Sequence, residues 1–154
     1  MVSVQNLFAY NKGMSKEFHQ HGIRFQYPEN WQLEQEEIES GWALAVQSPD
    51  TAFWMLSMRQ DEPEPEELVR QALNELRESY PDLEAEVGRS TLARHKAEGY
   101  DVRFFSFDLT NTCWMRSFHS ELGTILVMYQ FTDLETDKQA PLLQAICASL
   151  RLEA

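Results

Sequence analysis

Two histidines in the stretch FHQHG, His19 and His21, have the residue type and the spacing that could bind a metal ion. Side chains two residues apart in an extended chain point to the same side, so both imidazoles could reach one ion. A zinc site needs three or four ligands, and His95 and His119 would have to supply the others. Neither lies among other ligand-type residues. We therefore predict no metal site and no cofactor, with metal binding the less favoured alternative.

Residues suited to nucleophilic catalysis are present, but their spacing argues against catalysis. Cys113 and His119 lie six residues apart, which is about 20 Å along a strand, so they could not touch if they share one. His119, Asp108 and a serine could be drawn as a hydrolase triad, but no G-x-S-x-G motif is present to expose the serine. The two cysteines form no C-x-x-C motif, and their apolar surroundings predict buried free thiols.

Phosphate chemistry also lacks its usual sequence signature. The six glycines form neither G-x-G-x-x-G nor G-K-[ST], so no loop is predicted to cradle a nucleotide. The sequence therefore predicts that this protein is not an enzyme. The alternative is a small hydrolase whose catalytic residues are brought together only by folding.

Aromatic and methionine side chains are dense in the stretches that we predict to be strands. Alternation puts them on both faces of the sheet, while only two substantial helices are predicted to cover those faces. Most of these side chains should form the core, but an uncovered remainder would mark a protein interface. We predict that one face stays partly uncovered and binds a partner, centred on Trp54, Met58, Trp114, Phe118 and Met128.

The elements that position these residues follow from periodicity and turn chemistry. Alternation in GIRFQYPENW, residues 22–31, predicts a first strand that Pro28 ends. GWALAVQ and TAFWMLSMRQ predict a hairpin, and a helix should run from about Pro65 to Tyr80. Four strands with turns at KAEG, LTNT and SELG should follow, and then a helix over about 134–152.

Strands grouped apart from helices are typical of the α+β class. We predict a twisted antiparallel sheet of about six or seven strands, flanked by the helices at about 65–80 and 134–152. A chain of 154 residues is large enough for one stable core. Residues 22–154 should form this single domain, and residues 1–21 should be a loosely held N-terminal arm.

The charge of the chain limits its partners and its location. Thirteen Lys and Arg against twenty-five Asp and Glu give a formal charge of -12, so nucleic acid should be repelled. No basic and apolar leader opens the sequence, and no apolar run approaches the roughly 20 residues of a membrane span. We therefore expect a soluble cytoplasmic protein without a membrane span.

The stretch FQYPENW, followed by a hairpin, a helix, a meander and a terminal helix, resembles the PsbP-like fold. That fold is shared by a photosystem extrinsic subunit, Ran-binding import factors of the Mog family and small bacterial relatives. The resemblance covers about residues 22–152 and implies PsbP-like topology. Among bacterial relatives, Eag-type chaperones of type VI secretion are similar in length and acidity. That likeness implies a scaffold that holds apolar helices of an effector.

Two binding functions remain open at this point. The favoured one is a non-catalytic chaperone or adaptor that holds an apolar segment of a protein partner, or of a second copy in a homodimer. The alternative is an acidic surface that docks a basic folded partner. Salt separates the two, because apolar burial persists in high salt whereas exposed ion pairs weaken.

Overall fold

A computed structural model describes residues 15–153 of the chain. The α+β class and the antiparallel sheet predicted from the sequence are confirmed. In chain order the elements are β1 (Ser15–Gln20), β2 (Ile23–Pro28), β3 (Gln32–Ile38), β4 (Gly41–Gln47), β5 (Phe53–Arg59), α1 (Pro65–Ser79), β6 (Glu84–Leu92), β7 (His95–Ser106), β8 (Leu109–Ser120), β9 (Gly123–Thr132), a 3₁₀ turn (Asp133–Glu135), α2 (Thr136–Ser149) and β10 (Arg151–Leu152).

The larger sheet has seven antiparallel strands in the order β3-β4-β5-β9-β8-β7-β6. Directly paired residues point to the same face of an antiparallel sheet, so the register defines two faces. One face carries Trp54 paired with Tyr129, and the other carries Met55 paired with Met128. Since α2 packs on the first and α1 on the second, we call them the α2 face and the α1 face.

The main core lies on the α2 face. Strands β1, β2 and β10 form a smaller three-stranded sheet, which supplies Phe18, Ile23 and Phe25 to this core. Helix α2 adds Leu143 and Ile146, both fully buried. The smaller sheet and α2 together cover the tryptophan-rich strands β4 and β5.

The second core is smaller and lies under α1. The helix begins at Pro65, where a missing N–H costs nothing, and Glu66 and Glu67 stand in its first turn, where the helix dipole favours negative charge. Its apolar stripe packs on β7, β8 and β9. The buried members of this cluster are Leu68, Val69, Leu73, Val102, Phe104, Cys113, Met115 and Leu126.

The ends of the chain differ from the sequence prediction. Ser15–Gln20, within the stretch predicted to be a loose arm, forms β1 and pairs with β2 along its whole length; the rest of that predicted arm, residues 1–14, lies outside the described residues. The final helix ends at Ser149 rather than near 152. Leu150 leaves the helical conformation, with φ -63° and ψ 129°, so that Arg151 and Leu152 can pair with β2.

Two of the predicted turns were also wrong. KAEG lies inside β7 and LTNT inside β8, and the chain reverses instead at Ala93–Arg94 and Phe107–Asp108. All four of these turn residues have positive φ, as a two-residue type I′ hairpin requires. Only the turn at SELG lies where the sequence predicted it.

No helix within residues 15–153 is long and apolar enough to cross a membrane.

Candidate partner-binding surfaces

The five residues predicted to bind a partner do not share one exposed face. Trp54, Met58 and Phe118 are 0%, 3% and 1% exposed, because the smaller sheet and α2 cover them. Met128 is half-buried on the α1 face, and Trp114 is half-buried on the α2 face. The prediction of a single uncovered patch was therefore wrong, since the sequence did not reveal the strands β1 and β10 of the covering sheet.

Trp114 lies beside a buried arginine on the α2 face. The Arg116 side chain is only 4% exposed. Its Nε donates to Ser90 Oγ at 3.0 Å, its Nη1 donates to the carbonyl oxygens of Tyr100 and Met115, and its Nη2 lies 2.8 Å from Asp101 Oδ1. The guanidinium thus ties together β6, β7 and β8.

A cavity of about 660 Å³ opens beside Trp114, lined by residues of strands β6–β9, the 3₁₀ turn and α2, and we call it the Trp114 groove. Trp114 stacks on Tyr129 with ring centroids 4.8 Å apart, and Cζ of Arg116 lies 4.5 Å from the indole centroid. Burial, as the largest cause, raises the pKa of Tyr129, so its hydroxyl is neutral near neutral pH. The charged residues that line the groove are Glu84, Glu86, Asp101, Arg103 and Asp133.

Three large apolar side chains stand exposed near one end of the groove, and we call them the apolar rim: Phe105 (78%), Phe107 (96%) and Leu134 (78%). Leu134 directly follows Asp133, and Phe105 pairs with Thr110, which also lines the groove. The β7–β8 turn places Phe107 at the same end of the sheet. The sequence pattern did not distinguish Phe105 and Phe107 from the other aromatic residues of the predicted strands, so it did not predict their exposure.

A second surface lies on the α1 face, beside α1. Helix α1 packs on β7–β9, and the α1-face side chains of β3, β4 and β5 do not belong to its buried cluster. We call this area the open strip: Glu34, Glu36, Ala43, Ala45, Met55 and Ser57. It contains a depression of about 160 Å³. Met128 pairs directly with Met55 and borders the strip.

Both cysteines are free, and neither is suited to nucleophilic chemistry. Burial raises the pKa of Cys113 to about 12. Burial also raises the pKa of Cys147 to about 12, although the indole N–H of Trp54, 3.2 Å from its Sγ, and the charge of Arg116 act in the opposite direction. Because the thiolate is the reactive form, we expect both sulfurs to react slowly near neutral pH.

The described histidines lie in separate environments. His95 Nδ1 donates to the carbonyl oxygen of Ala93 at 2.7 Å, and its ring stacks on Phe118 on the α2 face. His119 contacts Thr124 on the opposite face, and His19 contacts Glu153 near the C-terminal end of the described chain. Among residues 15–153, no three His, Cys, Asp or Glu side chains are grouped as a metal site would require.

Comparison with known proteins identifies the fold through structure rather than sequence. No protein-family model matches the chain, and no curated protein matches it. The solved structure of cyanobacterial PsbP (CyanoP) from Synechocystis is similar, with TM-score 0.56 and 9% identity over 90% of this chain and 91% of that one. LpqN of Mycobacterium tuberculosis, described as involved in cell envelope biogenesis, has TM-score 0.53 and 13% identity over 99% and 98% of the two chains. The element order and this similarity together show that the chain has the PsbP-like fold.

Proposed function

We propose that this protein is a non-catalytic binding module and that its open strip holds an apolar helix of a protein partner. The observation that carries the proposal is the incomplete cover of the α1 face. Helix α1 lies over β7–β9. In the strip beside it Ala45, Met55 and Ser57 are partly exposed, and Ala43 is buried at 8% exposure. A second helix placed there would complete the layer.

The dimensions of the strip suit a helix. Three strands at a spacing of about 4.8 Å span about 14 Å, and β4, with seven residues, is about 23 Å long. An α-helix is about 10–12 Å wide, and about 15 residues of helix cover this length. Ala43, Ala45 and Ser57 let a helix backbone approach closely, while Met55 and Met128 can adapt to its side chains.

The charges around the strip favour a helix with basic flanks. Glu34 and Glu36 run along one side of the strip on β3. The exposed surface of α1 carries further carboxylates, at Glu66, Glu67, Glu75 and Glu78. A second copy of this acidic chain would bring its own carboxylates to the contact, so charge argues against a homodimer through α1. A partner helix with Lys or Arg along one edge is complementary.

Such a site fits a role as chaperone or adaptor, which the likeness to Eag-type chaperones implies. An apolar helix must be shielded from water until it reaches its final environment. The rival is docking of a folded basic partner on the acidic surface, as for the Ran-binding relatives. The rival needs no apolar contact, so the two proposals predict different responses to salt and to changes in the strip.

The test uses a synthetic Leu/Ala-rich helical peptide with one lysine stripe, titrated by calorimetry into the wild type, Ala45→Arg and Val87→Arg. Val87 is a matched control, because it is 74% exposed on the same face but on the far side of α1. We expect Ala45→Arg to weaken binding by at least about tenfold, or about 1.4 kcal/mol, and Val87→Arg to leave it unchanged. Binding to the wild type should persist in 1 M salt. Binding that 1 M salt abolishes and that Ala45→Arg leaves intact would support the rival instead.

A further inference from the structure

We infer that the Trp114 groove is a second binding site, on the opposite face of the sheet from the open strip, for an extended polypeptide segment in which basic and apolar residues are neighbours. The site does not depend on the open strip, because the two surfaces are separated by the sheet itself.

The size and lining of the groove suit a ligand. Its volume of about 660 Å³ lies within the roughly 300–1,000 Å³ that is usual for binding sites. The floor is aromatic, with Trp114 held against Tyr129 and Arg116. Because Arg116 is hydrogen-bonded to three strands, this floor is formed before any ligand arrives, which lowers the entropic cost of binding.

The charge of the groove selects a basic ligand. Four carboxylates line it, against one cationic side chain at its surface, that of Arg103. Arg103 lies directly across from Glu84, and Asp101 is paired with the buried Arg116. Glu86 and Asp133 make no ion pair within residues 15–153. A lysine or arginine of the ligand would therefore find carboxylates without a cationic partner.

The apolar rim supplies the second part of the recognition. Phe105, Phe107 and Leu134 are the three most exposed large apolar side chains in the described part of the chain. An exposed apolar group next to a groove is typical of a protein-binding surface. Asp108, Asp133 and Glu135 stand beside the rim in the sequence, and they would be repelled by an anionic membrane. The rim therefore favours an apolar residue of a protein segment over a lipid surface.

The tryptophans provide a direct measurement of binding. Trp31, Trp42 and Trp54 are 4%, 9% and 0% exposed, and Trp114 is half-buried and lines the groove. Binding in the groove should change the fluorescence of Trp114 and protect it from acrylamide. We would titrate the full chain with a short peptide in which lysine and leucine alternate, and with the same peptide carrying glutamate for lysine.

We expect a saturable change with the lysine peptide only, and its loss in Trp114→Phe. Glu86→Gln and Phe107→Asn should each weaken binding by several-fold to about tenfold. Phe107→Asn suits a position of positive φ, so it tests the rim without damaging the turn. Val87→Asn, on the opposite face, and Ala45→Arg, in the open strip, should leave binding unchanged.

Three results would overturn the inference: an equal response to both peptides, unchanged affinity in both Glu86→Gln and Phe107→Asn, or a response to anionic phosphatidylglycerol vesicles without one to the lysine peptide. The last result would indicate a lipid surface. Because Ala45→Arg tests only the open strip, failure of the proposed helix site and failure of the groove are distinguishable.

Discussion

Gly88 of β6 and Arg116 of β8 lie in one cross-strand row, with Gly99 of β7 between them. A Cβ atom on Gly88 would stand 2.3 Å from Nη2 of Arg116, and one on Gly99 would stand 2.0 Å from the carbonyl oxygen of Met115. The missing side chain of Gly88 thus leaves a channel for the guanidinium of Arg116, and that of Gly99 lets the backbones of β7 and β8 lie close together. Arg116 reaches Ser90 and Asp101 through this channel and supports the floor beneath Trp114.

Substitution of these glycines should destabilise the protein to different degrees. Gly99→Ala collides with backbone, which can move only if the strands move, so we expect a loss near the upper end of about 1–3 kcal/mol. Gly88→Ala meets the end of a side chain and should cost less. Urea unfolding measures both, with Val87→Ala as the exposed neighbour that should change stability by less than about 0.5 kcal/mol. Equal losses for the two glycines would contradict this account of the channel.

Arg116→Met should destabilise the fold by about 2–4 kcal/mol, because it removes the buried guanidinium, its ion pair with Asp101 and the donors to Ser90 and to two carbonyl groups. Asp101→Asn should cost less, because the Asp101 side chain is 53% exposed and the other hydrogen bonds of Arg116 remain. Chemical denaturation of both variants and of the double variant gives the coupling between them. A larger loss for Asp101→Asn than for Arg116→Met would contradict this account, because it would mean that a buried guanidinium without its carboxylate costs more than its complete removal.

The β7–β8 turn should tolerate, and even gain from, the loss of its phenylalanine. Phe107 and Asp108 have φ of 53° and 62°, a left-handed conformation that costs about 1–2 kcal/mol for most residues. The double variant Phe107→Asn and Asp108→Gly has the residues that a type I′ turn prefers. We expect the free energy of unfolding to rise by about 1 kcal/mol or more, measured by thermal and urea unfolding. A fall in stability would mean that Phe107 makes a folding contact that its 96% exposure does not suggest.

The two thiols should resist modification in the folded protein. Burial raises the pKa of both Cys113 and Cys147 to about 12, so almost no thiolate is present at about pH 8. Ellman's reagent should label neither residue quickly in buffer and both in urea. Labelling of one equivalent in buffer, assigned by comparing Cys113→Ala with Cys147→Ala, would identify a thiol that is more reactive than its burial predicts.

Stability should fall in acid as two hydrogen-bonded carboxylates lose their charge. The hydrogen bond from His19 lowers the pKa of Glu153, and that from Arg59 lowers the pKa of Asp61, with burial opposing in each case. When folding lowers the pKa of a carboxyl group, the charged form of that group stabilises the fold. This stabilisation is complete above the unfolded-state pKa of about 4 and is lost as the pH falls through the folded-state pKa.

Thermal unfolding between about pH 2 and pH 6 measures this loss. We expect a shallower acid-side decline in Glu153→Gln and in Asp61→Asn than in the wild type. His19→Asn removes the partner of Glu153 and should reproduce the effect of Glu153→Gln. An unchanged slope in all three variants would show that other carboxylates govern acid unfolding.

The elements with a strong hydrophobic pattern were predictable from the sequence. Alternation placed β2 and the β4–β5 hairpin, and the proline-opened stripe placed α1 at about 65–80 against an observed Pro65–Ser79. Each of these elements buries one face against the core, so its apolar residues recur with the period of a strand or of a helix. The edge strand β3 buries no such face, because most of its side chains are exposed and it is held by backbone hydrogen bonds.

The same reason explains why the sequence predicted neither β1 and β10 nor the positions of two of the turns. Pairing between strands uses backbone groups that every residue type except proline offers, so a strand such as Ser15–Gln20, with one buried side chain, leaves little trace in the sequence. Ala93, Arg94 and Phe107 adopt left-handed turn conformations that their residue types do not favour, and of the four turn residues only Asp108 is of a type that such turns prefer. The long backbone pairing of strands β6–β9 sets their register, and it overrides the conformational preferences of the turn residues between them.

The sequence by itself determined the α+β class, the acidity and a surplus of aromatic residues on the sheet. Only the tertiary structure decided which of these residues are accessible. Trp54 and Trp114 have the same residue type and share the α2 face, yet one lies under the smaller sheet and the other lines a groove. Alternation assigns a side chain to a face, but its exposure depends on how far the covering layer extends. That extent follows from the packing of elements distant in sequence.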